Sequence, residues 1–189
     1  MSAVEGGSGE HLAVETAVAI DPKESLTGAD ALDKLRELLA NFPIATMVTV
    51  ERNGTITARP IGVVGDHGAF EGQLWFITDR RSRKVCAINS GATTFLIFED
   101  HAKGAYLHLT GRALVIEDRR RLEELYTPVQ RTWFPQGLED PHITLVRFDA
   151  DQGEFWDRHN GMLRLLAAFA KSVVTGTPGS SGNTGTATL

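Results

Sequence analysis

The sequence predicts a mainly β domain with peripheral helices, built as an antiparallel barrel of six or seven strands. Three observations carry that expectation. Short runs rich in β-branched and aromatic residues follow one another at close spacing. Asn53-Gly54, a strong hairpin signal, lies between two of them. The helical patterns fall between and around these runs, without the regular β-α alternation of a doubly wound sheet.

Taken in order, Asp30 to Phe42 reads as an amphipathic helix. Leu32, Leu35, Leu38 and Leu39 share one side and Lys34, Arg36 and Glu37 the other, and Pro43 stops it. Ile44 to Val50 and Thr55 to Val64 are strands around the Arg52-Asn53-Gly54 turn. Pro60 inside the second requires an edge or a bulge. Gln73 to Thr78 is a third strand. Ser82 to Asn89 is a short helix closed by Asn89-Ser90-Gly91. Ala92 to Phe98 is the fourth strand. Ala105 to Ile116 is the fifth, with Gly111 as a bend or bulge. Asp118 caps a helix from Arg119 to Tyr126. Ile143 to Phe148 and Gly153 to Asp157 are the sixth strand and a possible seventh, and Met162 to Val173 is a further amphipathic helix. The domain is expected over 28–174, between disordered tails at 1–27 and 175–189.

The chain has 189 residues, 42% hydrophobic and 23% charged, enough for one packed domain. Its net charge of -5 argues against nonspecific nucleic-acid binding, which needs a basic surface. No apolar run approaches the roughly 18 residues that span a bilayer. No secretory leader is recognised and Cys86 is the one cysteine, so a cytoplasmic protein is expected. The histidines form no H-E-x-x-H and no cluster with cysteine, so no metal site is expected.

The chemistry concentrates between Arg59 and Lys84. Thr78-Asp79 leads into Arg80, Arg81, Ser82, Arg83 and Lys84 at the start of a helix. Hydroxyls, cations and free backbone N–H groups in one place suit a phosphate monoester. The competing explanation is a solvated helix start, which four cations there would make unfavourable without an anion. By strand alternation Thr57, Arg59 and Ile61 share a face, so Arg59 pairs with a carboxylate, reaches a ligand, or points outward from an edge strand. Trp75-Phe76-Ile77 fits a core strand or the flank of a planar ring. Trp133-Phe134, in a Pro/Gly loop, suggests a lid or a subunit contact. Cys86 reads as a small buried hydrophobe.

The ordered series A-T-M-V-T-V, A-R-P-I, L-W-F-I-T-D-R-x-S-x-K-V, T-G-R-A-L-V-I-E-D, W-F-P-x-G-L-E-D-P and E-F-W-D resembles the general stress protein branch of the pyridoxamine 5′-phosphate oxidase-like flavoproteins. The resemblance covers about 26–176. It implies an FMN-binding split β-barrel, with FAD as a variant cofactor, working as a homodimer with the flavin at the subunit interface. It places Arg59, Pro60, Ile61, Ile77 and Thr78 along the isoalloxazine and ribityl chain, and Ser82, Arg83 and Lys84 on the phosphate. Trp133 and Phe134 would close over the flavin from the partner. The implied activity is that of a flavin-dependent oxidoreductase of unknown substrate, with no obligatory acid or base singled out. A non-catalytic flavin store or sensor, or a deazaflavin- or haem-binding relative, is the alternative. Arg158-His159 is followed by Asn160-Gly161, and no R-L-A-P-like tail ends the chain, so the vitamin B6 oxidase reaction itself is not implied.

Overall fold

A computed structural model describes residues 28–157 and 183–188. The elements are α1 (Gly28–Leu39), β1 (Ile44–Val50), β2 (Ile56–Val64), β3 (Gln73–Asp79), α2 (Arg83–Asn89), β4 (Thr93–Asp100), β5 (Ala105–Ile116), α3 (Arg119–Leu125), β6 (Ile143–Asp157) and β7 (Asn183–Thr188). All pairings are antiparallel, in the order β3-β2-β1-β4-β5-β6-β7. β3 also pairs with β6, which closes six strands into a barrel. The expected fold class is the observed one.

Period-2 alternation explains the core. Ala45, Met47 and Thr49 of β1 and Leu96 and Phe98 of β4 point inward and are buried. Leu35, Leu38 and Leu39 of α1 join them, as the leucine spacing predicts. A second, smaller cluster forms where α3 covers the outside of β3 and β6, around Leu122, Leu125, Ile143 and Leu145. Asp118 caps α3 as expected, its carboxylate accepting from the Arg121 N–H.

The β1–β2 hairpin forms around the Asn-Gly signal with a five-residue connection. Gly54 takes φ +83°, the left-handed conformation that favours glycine.

Three expectations change. The sixth strand does not stop at Phe148: Ile143–Asp157 is continuous, because a register shift opposite Thr110 and Gly111 absorbs the polar Asp151-Gln152 step as a bulge. The seventh strand is therefore not 153–157. It is Asn183–Thr188, inside the tail expected to be disordered. There β6 runs past the end of β3 and offers a free edge over 152–157, which β7 pairs. Cys86 is exposed rather than buried, because α2 turns Val85, Ala87 and Ile88 to the core. The expected N-terminal tail and the helix at 162–173 lie outside the described residues.

Among the described residues no helix is long and apolar enough to cross a membrane.

Candidate functional site

The barrel is split between β2 and β3. These strands pair only through Val63 with Phe76 and Val64 with Trp75, so residues 56–62 of β2 and 77–79 of β3 diverge. The free β2 edge also explains how Pro60 is accommodated mid-strand, since its missing N–H meets no partner strand on that side. α2 starts just past the end of β3, which brings its first residues to the same end of the split.

Arg59 does not point outward. It is half-buried on the inner face with Thr57 and Ile61, as alternation predicts. Its Nη1 donates to Thr49 Oγ1 at 3.0 Å and its Nη2 to Thr57 Oγ1. Burial first, and then the charge of Arg83, lower the Arg59 pKa, with Glu51 opposing. Burial first, and then the charge of Arg59, lower that of Lys84, with Asp79 opposing. Arg59, Arg83 and Lys84 thus form one group of cations that feel each other. None of the three makes an ion pair with a carboxylate among the described residues.

The basic run is therefore sorted by the fold. Arg81 closes back on Asp79, with Nε at 3.1 Å and Nη2 at 2.8 Å from its carboxylate oxygens. Arg80 turns to Glu117 at 3.9 Å. Of the run, Arg83 and Lys84 are the two whose charge couples with that of Arg59. Ser82 precedes α2, but its hydroxyl makes no capping bond. Its Oγ is buried and has no partner among the described residues, a costly state unless something else bonds to it.

The hydrogen bonds from Arg81 hold the Asp79 carboxyl down from 3.8 to about 2. A lowered folded pKa contributes stability that is complete above the unfolded value and is lost as pH falls through the folded one. Asp79→Asn is therefore expected to flatten the loss of stability between about pH 4 and pH 2, read by chemical denaturation at each pH. Parallel curves for variant and parent would deny this ion pair any contribution.

The remaining expected site residues are separated. Thr78 is buried and paired with Thr144 at the edge of the split. Ile77 lies on the opposite face of β3 and packs against the second cluster, so only its backbone borders the split. Tight turns over 128–139 tuck Phe134 into the second cluster of its own chain, 6% exposed, rather than leaving it on the surface of the loop. Trp133, beside it, is 69% exposed. Sequence reasoning passed over Thr49. Counting residues outward from the Asn-Gly turn could have set it opposite Thr57 and beside Arg59.

Residues 30–179 match the family model described as pyridoxamine 5′-phosphate oxidase like. No curated protein matches the chain. Among solved structures, a protein from Jannaschia sp. CCS1, provisionally described as general stress protein 26, superposes with a TM-score of 0.69 at 24% identity, over 86% of this chain and 100% of that one. A protein from Clostridium acetobutylicum, related to general stress protein 26 of B. subtilis and assigned to the pyridoxinephosphate oxidase family, gives a TM-score of 0.59 at 26% identity, over 68% and 89% of the two chains. The general stress FMN/FAD binding protein of Xanthomonas citri gives 0.57 at 20% identity, over 69% and 90%.

Proposed function

The chain belongs to the pyridoxamine 5′-phosphate oxidase-like family, and from that premise we propose that it binds FMN at the split of the barrel and works as a flavin-dependent oxidoreductase in a stress-related role. One observation carries the reading: Arg59, Arg83 and Lys84 stand together with no carboxylate ion pair among the described residues, near the buried hydroxyl of Ser82, which has no partner there either. A phosphate monoester satisfies all four, with charge-assisted bonds to the cations and an acceptor oxygen for the hydroxyl. The support comes from these side chains together and not from the start of the short helix by itself. FMN ends in such a monoester, which favours it over FAD.

The roles in this reading follow from position. Arg59 and Lys84 neutralise the phosphate, Ser82 donates to it, and Arg83 adds charge at the exposed rim. Pro60, Ile61, Thr78 and the backbone of Ile77 border the split where the ring system and ribityl chain would run. When bound, the flavin supplies two-electron transfer, and the protein supplies orientation and hydrogen bonds.

The reading includes a homodimer. The outward face of β1, β2 and β4 carries Ile44 at 59% and Ile56 at 66% exposure, with Val48, Val50, Phe95 and Ile97 on the same side. A contiguous apolar face of this kind favours burial against a second copy. Ile56→Asp is expected to convert the dimer to a monomer in sedimentation velocity. A wild-type monomer, or a variant dimer of unchanged stability, would remove the second copy from the proposal. Trp133 is exposed and suits a contact with that copy.

The direct test is the visible spectrum of the purified protein before and after addition of FMN and removal of the excess. A retained two-band flavin spectrum is expected, with reduction by NADH or NADPH faster than that of free flavin. Retention without faster reduction would favour a flavin store or sensor. No retention would end the flavin reading.

A further inference from the structure

We propose that Thr49 and Thr57 are positioning residues that hold the Arg59 guanidinium with neutral hydroxyls, so that its whole charge faces the anion of the ligand. The proposal rests on the reading of the split as an anion site. β1 and β2 pair with Thr49 directly opposite Thr57, and the two hydroxyl oxygens are 2.9 Å apart. Arg59 lies two residues further along β2 on the same face, and its two terminal nitrogens each donate to one of these hydroxyls. The guanidinium is thus gripped as a fork by an adjacent pair of acceptors.

The chemistry of the holder decides what Arg59 can do. A guanidinium has five N–H donors. Two are used here, which leaves three for a ligand. A carboxylate at either threonine position would hold the fork as well, but it would cancel the charge and accept the bonds that the ligand needs. Threonine fixes the geometry and leaves the charge. Thr49 is fully buried, so its hydroxyl has no water to turn to and the grip is not loosened by solvent. Burial and then Arg83 lower the Arg59 pKa against the opposing charge of Glu51, in keeping with a cation that makes no ion pair among the described residues.

Isosteric Thr49→Val and Thr57→Val variants test this, with Thr49→Ser as the rescue, each first checked for a thermal transition near that of the parent. Two measurements are made on the full chain. In flavin-free protein, ¹⁵N NMR of the Arg59 side chain reads guanidinium rotation. Slow rotation is expected in the parent and in Thr49→Ser, and fast rotation in both valine variants. In titrations, FMN affinity is expected to fall about tenfold in the valine variants while riboflavin affinity stays level, which is the effect of misplacing one charged contact to the phosphate. Unchanged Arg59 rotation in both valine variants overturns the proposal whether or not flavin binds. Failure of the serine rescue overturns it too. Faster rotation with unchanged FMN affinity overturns the link from these threonines to the ligand. A parent that holds Arg59 rigidly but binds no FMN leaves the positioning standing and removes the flavin reading alone.

Discussion

Lys84→Ala and Arg59→Ala proteins are each expected to bind FMN about 10- to 100-fold more weakly than the parent, with riboflavin affinity little changed. The magnitude follows from loss of one charge-assisted hydrogen bond, about 1.5–3 kcal/mol. The selectivity follows from position, because both cations belong to the group beside Ser82 and neither makes an ion pair with a carboxylate among the described residues. Neither variant is expected to unfold the protein. Lys84 is partly buried as a cation, with its pKa lowered by burial and by Arg59, so removing its charge relieves repulsion. The same lowering predicts a pH dependence. The protonated amine binds the phosphate, so FMN affinity should fall as pH rises, beginning below the usual 10.5 of lysine. Arg81→Ala is the control, since Arg81 is already committed to Asp79 and should change FMN affinity least. Fluorescence titration of FMN and riboflavin against the three variants reads all of this. Equal losses for both ligands would place the phosphate elsewhere.

The largest effect on the fold itself is expected from Gly111→Ala. Here β5 meets β6 at the register shift, and a methyl group on Gly111 would collide with the carbonyl oxygen of Asp149. It would also stand 2.8 Å from Phe148 Cζ and 2.9 Å from Ala150 Cα. Two of the three obstacles are backbone and cannot rotate away. Phe148 is fully buried in the main cluster, so it cannot move without opening the core. Overpacking of this kind costs about 3 kcal/mol, a large share of the stability of a domain this size. Thermal or urea unfolding should show the loss directly. A variant as stable as the parent would mean that the bulge can shift its register and that β6 is less firmly placed than its pairings indicate.

The two predictions draw on different parts of the chain, and they differ in how much the sequence alone could say. Gly111 was visible as a glycine inside a long strand, which marks a bend or a bulge, and the register shift does fall there, although the extra residue is on β6. The leucine face of α1, the Asn-Gly hairpin and the Asp118 cap were visible in the same way. Each is set by residues a few positions apart, where backbone geometry and side-chain period leave little choice. The limits of β6 were misjudged because a bulge lets a polar step stay in a strand, and only the partner strand supplies that permission.

The candidate site shows where local reasoning ends. The sequence determined that cations and a hydroxyl collect at the end of the third strand, and that Arg59 shares a face with Thr57. It could not say which of the four cations stay uncompensated. That was decided by where Asp79 and Glu117 come to rest, and Glu117 reaches Arg80 only because β5 ends beside the start of α2. Nor could it distinguish Trp133 from Phe134, neighbours in the chain, of which one is exposed and the other is core. Spacing fixes what a residue's neighbours along the chain can be. Charge compensation and burial depend on what arrives from distant segments, and those contacts exist only once the barrel closes.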